Sequence, residues 1–176
     1  MKSDTKLFHV SEDSGIKIFV PRPSPSYFEE INNPVVFSIT DKLLHNYLLP
    51  RNCPRVTFYS KEDTTQEDRD KFFGPNTNQF VIAVENGWRE TIKKTTLFCY
   101  ELPDDTFQPL DKGAGYFISY KEVEPVSVWP VKDLIGEILK RDVDLRFMPH
   151  LSSLANEVSQ STLQYSLIRM RNAVKH

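Results

Sequence analysis

The chain has 176 residues, of which 39% are hydrophobic and 12% aromatic, a composition that builds one sizeable core and excludes a disordered chain. With 22 basic against 24 acidic residues there is no general excess to hold a nucleic-acid backbone, so nucleic acid is not an expected partner. No apolar run reaches the length of a membrane span, the N-terminal stretch is polar, and Cys53 and Cys99 stand far apart, so a cytoplasmic protein without a disulfide framework is expected. The length suits a single domain over residues 1–176, strand-rich to residue 130 and helical from 131.

Residues 7–11 read as a first strand, with Leu7, His9 and Ser11 on one face and Phe8 and Val10 on the other. Residues 16–20 form a second extended run. The stretch 21–25, three prolines with Arg22 among them, is a stiff non-helical loop. Val35, Phe37 and Ile39 then alternate as a strand with one buried face. Thr40 caps a short helix whose apolar positions are Leu43, Leu44, Tyr47 and Leu48, which leaves His45 on its polar side. Pro50 stops that helix and Pro54 holds the following turn. From Arg55 the alternation resumes: Val56 and Phe58 take the core face, Arg55, Thr57 and Tyr59 the other, and an extended 51–55 puts Arg51 on their side.

Residues 60–75 are expected to be helical, with Thr64 and Glu67 as a capping box and Gly74-Pro75 as the stop. Strands follow at 80–85, 96–102 and 116–120, and a further extended run at 123–129. Pro130 fits the first turn of a helix whose stripe is Leu134, Ile135, Ile138 and Leu139. After a short run at 143–148, residues 151–174 form a closing helical region, with Ser161 and Gln164 capping a helix that buries Leu163, Leu167, Met170 and Val174. Short strands without regular βαβ alternation indicate an α+β fold, its sheets twisted and mostly antiparallel, with the C-terminal helices against them.

No Walker loop, GxGxxG, GxSxG, HExxH or CxxC occurs, and no histidine pair has metal-ligand spacing, so no metal is expected. The chemistry rests on a looser constellation. His9 on the first strand, beside Ser11, suits a ribose hydroxyl; Arg22, Arg51 and Arg55 offer planar forks for phosphate, and the alternative for Arg51 and Arg55 is pairing with carboxylates elsewhere in the chain to pin a turn. Phe37, Tyr47 and Tyr59 suit stacking on a base, and Glu122 or Glu124 stands as a late carboxylate.

The segments LFHVSED, PVVFSITD, LLPRNCPRVTFY, LFCYELP, GAGYFISYKEVEPVSVW and LIRMRNA resemble those of a bacterial protein family of unknown function. A second resemblance is to the ADP-ribosyltransferase superfamily, in particular its small rifampin-modifying type. It rests on the histidine of LFHVS, on PVVFSITDKLLHNYL and on YKEVEPVSVW. It implies NAD or a related nucleotide as cofactor, His9 on its ribose, and Glu122 or Glu124 orienting the reacting sugar. Where that family has a tyrosine against nicotinamide, this chain has Val36 and Phe37, so Phe37 or Tyr47 would take the ring. The alternative is a non-catalytic interaction protein on a degenerate enzyme-like fold, with a homo-oligomer formed through its C-terminal helices.

Overall fold

The computed structural model describes residues 5–175. Its strands are β1 (Leu7–Ser11), β2 (Val36–Thr40), β3 (Arg55–Tyr59), β4 (Phe80–Glu85), β5 (Leu97–Leu102), β6 (Gln108–Asp111), β7 (Tyr116–Ser119), β8 (Ser127–Val131), β9 (Val143–Met148) and β10 (Gln164–Ile168). The α-helices are short: α1 (Gln66–Phe73), α2 (Arg89–Lys94), α3 (Leu134–Leu139) and α4 (Ser152–Ser159). The fold is α+β. Contacts divide the chain into two compact units, one running up to Tyr47 and taking in Thr96–Val131, the other Leu48–Thr95 and the chain from Lys132 on.

The first unit is a six-stranded sheet in the order β6-β7-β2-β1-β5-β8, antiparallel throughout. Cross-strand partners share a face, so the register sorts its side chains. Phe8 pairs with Ile39, Ile39 with Tyr116 and Phe37 with Ile118, which gathers these residues on one face. His9 pairs with Tyr100 and Leu7 with Leu102 on the other, where Phe19, Val36, Tyr100, Leu102 and Val123 form a buried cluster.

The second unit is a four-stranded sheet, β10-β3-β4-β9, antiparallel except that β9 runs parallel to β4. β4, FVIAVE, is buried along its whole length, as expected of a near-continuous apolar run in a central strand. On one face Val56, Phe58, Val81 and Ala83 pack with Phe72 and Phe73 of α1 and with Ala155 and Val158 of α4. Phe58 meets Phe72 and Phe73 edge-on, both at 5.7 Å between centroids. Burying a phenylalanine contributes about 1.5–3 kcal/mol.

Several expectations change. Residues 41–47 form a 3-10 helix, tight enough to turn His45 and Asn46 inward with Leu43 and Leu44, so His45 is buried and not on a polar side. The cap of α1 is Thr65, whose Oγ1 accepts from Asp68 N at 3.2 Å; Thr64 Oγ1 instead accepts from Lys61 N and donates to Thr162 O. The 16–20 run contributes a single bridge, Phe19 to Val123. Pro130 lies in β8, at the sheet edge where its missing N–H costs no ladder bond. The largest correction is at 161–174. Leu163, Leu167, Met170 and Val174 are spaced as on a helix, yet Gln164–Ile168 is a strand. Five consecutive residues pair there with β3, whose own main chain otherwise lacks a partner on that side.

Candidate functional site

Four ring-bearing side chains of the first unit converge at β2 and β7. Phe37 lies 6.2 Å from Tyr116, and Phe28 lies 6.0 Å from Phe37 and 6.3 Å from Tyr116. Tyr47, at the end of the 3-10 helix, adds a fourth ring at 6.2 Å from Tyr116, and the two tyrosine hydroxyls hydrogen-bond each other. All four residues are half-buried. Phe37 is expected on the buried face of its strand; it shares a face with buried Ile39, yet the Phe37 ring stays partly accessible.

Local sequence explains how the rings meet. Gly115 adopts φ 72°, and a Cβ there would lie 2.7 Å from Thr40 Oγ1, so only glycine lets the chain close on the end of β2. Thr40 N donates to Gly115 O at 3.0 Å, which fixes Tyr116 one residue later. On the other side, the proline-rich loop is closed by Arg22 and Val35, whose amides and carbonyls pair at 3.0 and 2.9 Å. Between them residues 23–34 surround an open recess of about 470 Å³, lined by Pro23, Ser24, Phe28, Ile31, Asn33 and Pro34 among others. Phe28 therefore belongs both to the recess and to the ring cluster. The Arg22 side chain is exposed at the stem of this loop.

His9 belongs to the opposite face of the sheet. Its Nδ1 lies 3.1 Å from Phe37 O, so the proton sits on Nδ1 and the imidazole takes a carbonyl just beyond the last β1–β2 pair. Its ring packs against Phe19 at 4.8 Å, and Phe19 stands edge-on to Tyr100. Ser11 is used locally, its Oγ accepting from Asp13 N at 3.0 Å, while Tyr100 OH donates to Asp13 O at 2.6 Å and ties down the same loop. Glu122 and Glu124 are exposed on either side of buried Val123, which pairs with Phe19. Alternation thus turns both carboxylates away from the cluster that holds His9.

Arg51, Arg55 and Tyr59 belong to the second unit. Cys53 N donates to Pro50 O at 2.9 Å, so residues 50–53 make a turn and not the extended stretch expected to align Arg51 with Arg55. Arg51 is exposed. Arg55 is only 2% exposed; its Nε donates to Cys53 O and its Nη2 to Pro50 O, both at 3.0 Å, so it pins the turn. Burial pushes the Cys53 thiol up to about 11, with Arg55 opposing and Glu85 adding to the shift. Tyr59 packs edge-on against Phe80 at 5.5 Å.

The structure therefore gathers Phe37 and Tyr47 of the expected set and adds Phe28 and Tyr116. The sequence carried a signal for Tyr116: it directly follows the close-approach glycines of Gly113-Ala114-Gly115. Nothing local marked Phe28. Among the described residues, no group of three or more His, Cys, Asp or Glu could hold a metal ion, and no helix is long and apolar enough to cross a membrane. The model of a family of unknown function, DUF6886, matches residues 8–173, and the chain belongs to that family. No curated protein and no solved structure matches it.

Proposed function

We propose that this member of a family without an assigned activity binds NAD or a related nucleotide on its six-stranded unit. One observation carries the reading: four half-buried rings, Phe28, Phe37, Tyr47 and Tyr116, meet in one cluster, and Phe28 also lines a recess whose enclosing loop is stemmed by an exposed arginine. Partly accessible rings suit a planar heterocycle, and the hydrogen-bonded pair of tyrosine hydroxyls in the same cluster suits its polar edge. The Arg22 guanidinium, always charged and with donors in one plane, suits the phosphates. Binding is supported further than ADP-ribosyl transfer, which needs a carboxylate and His9 at one ribose, because Glu122 and Glu124 turn away from the His9 cluster.

Titration calorimetry with NAD, ADP-ribose and AMP tests the reading on wild type, Phe28→Ala and Arg22→Ala, with circular dichroism to establish that each variant folds. Wild type gives a saturable heat. Phe28→Ala weakens it about tenfold, the size of a lost base–aromatic stack, and Arg22→Ala weakens NAD more than it weakens a ligand lacking the pyrophosphate. Absence of heat with all three ligands, or equal affinities in all three proteins, overturns it.

A further inference from the structure

Register sets one row of residues across one end of the four-stranded sheet: Ile168 beside Arg55, Arg55 beside Val84, and Val84 beside Phe147. The segments that leave or enter the sheet at that row therefore share one rim. β10 leads out to Arg169, Arg171 and Lys175, and β3 is entered from the turn that carries Arg51. β4 leads out to Trp88 and to Arg89, whose guanidinium lies 5.6 Å from the centre of the Phe147 ring. Arg169, at φ 55°, turns the chain where β10 ends. The following residues are fastened across the rim: Asn172 Nδ2 donates to Asn52 O at 2.8 Å, and Val174 N to Glu85 Oε1 at 2.9 Å.

Charge on this rim is of one sign. Arg51, Arg89, Arg171 and Lys175 are exposed and Arg169 is half-buried. Among the described residues Arg169, Arg171 and Lys175 enter no ion pair. The segments of the rim, 50–54, 85–90, 148–150 and 169–175, hold two carboxylates. Glu85 is 3% exposed and takes the Val174 amide, and Glu90 pairs with Lys93 at 3.1 Å. Elsewhere this unit pairs its lysines: Lys61 with Asp63 at 3.4 Å, Lys71 with Glu157 at 3.0 Å and Lys140 with Glu137 at 2.7 Å. The near-even balance of the whole chain conceals the rim, because the acidic residues lie mostly outside these segments.

We propose that this rim binds the backbone of a single-stranded nucleic acid. A row of cations with few carboxylates among them suits a polymer of phosphates, and each guanidinium offers a fork of donors to phosphate oxygens. Strand ends about 4.8 Å apart give a rim of about 14 Å, the length of about four nucleotides at roughly 3.4 Å each. Trp88 lies half-buried on the same rim and presents an indole on which an unpaired base stacks. The rim is built of turns and two short 3-10 helices, Asn86–Trp88 and Met170–Asn172. A duplex groove takes an α-helix or a two-stranded ribbon, so this geometry favours the single strand. The site lies in a different unit from the ring cluster and does not rest on the reading given for it.

Fluorescence anisotropy with labelled oligonucleotides of about twelve residues tests this. Single-stranded RNA, single-stranded DNA and a DNA duplex are titrated across about 50–200 mM salt. Wild type binds a single strand, RNA or DNA, more tightly than the duplex, and its affinity falls as salt rises. Arg171→Ala and Arg89→Ala, both at exposed positions, each weaken binding and lower the log–log salt slope by about 0.7, one phosphate contact on a single strand. Trp88→Ala weakens binding about tenfold with the slope unchanged, and Trp88→Phe, which keeps a stacking ring, recovers most of it. Lys61→Ala, away from the rim, binds as wild type does, and circular dichroism verifies that every variant folds. A wild type that binds no single strand at the lowest salt overturns the proposal. So does a salt slope that Arg171→Ala and Arg89→Ala leave unchanged, or a loss in Lys61→Ala equal to theirs. Tighter binding of the duplex, or binding confined to vesicles of anionic lipid, counts on that side too.

Discussion

The two units use the same residue types to opposite ends. In the four-stranded unit Phe58, Phe72 and Phe73 close on one another, none more than 8% exposed. In the six-stranded unit Phe28, Phe37, Tyr47 and Tyr116 stay half-buried, and Phe28 also lines a recess. The arginines divide in the same way, Arg55 buried on two carbonyls of its own turn and Arg22 exposed at the stem of a loop. A ring or a guanidinium therefore does not mark a ligand site by its identity. What marks it is whether neighbouring strands and helices have already used its surface.

That contrast breaks most sharply at the two phenylalanine clusters. Phe58→Ala is expected to cost about 3–5 kcal/mol, because it opens a cavity among packed rings. Phe28→Ala is expected to cost about 1 kcal/mol, its loss appearing in ligand affinity. Urea unfolding of both variants checks the pair, and equal losses of stability would remove the distinction between the clusters. The arginines sharpen it next. Arg55→Met strips the donors from Cys53 O and Pro50 O in a buried site, at a cost of about 3 kcal/mol. Arg22→Ala leaves the unfolding midpoint where it was. A Arg55→Met protein as stable as wild type would show that the turn holds without its guanidinium.

How much of this was legible beforehand depends on where the information lay. Alternation announced β1, β3 and β5, and the glycines before Tyr116 announced the close approach into β7. The helical spacing of Leu163, Leu167 and Met170 concealed β10, because a five-residue strand also fits those positions and only the unpaired side of β3 decides between the two. His45 was misplaced for a related reason: a 3-10 helix advances its side chains by a different angle from an α-helix, so the buried face moved. The site residues were less legible than the strands. Arg55 and Arg22 look alike in sequence, and only burial by distant segments separates the one that pins a turn from the one left accessible. His9 and Phe37 both read as strand residues, and the β1–β2–β7 register, a property of three segments together, sets them on opposite faces.

The smallest effect concerns the carboxylate that joins α1 to the start of β10. Hydrogen bonds from the Thr162 hydroxyl and amide, with a smaller contribution from Thr65, hold Asp68 below the ordinary carboxylate value of 3.8. A group with a depressed folded value favours the native state above its unfolded value and loses that contribution as pH falls through the folded one. Its share of stability is therefore complete at neutral pH and disappears in acid below about pH 4. Asp68→Asn should lower the unfolding midpoint at neutral pH, and the gap from wild type should close as the solution is acidified through that range. Because this side chain is solvent-accessible, the shift is modest and weakens with salt. If the wild-type and variant curves stay parallel from neutral pH into acid, it is the shape of the hydrogen bonds to Thr162, and not the charge of Asp68, that fastens the helix to the edge strand.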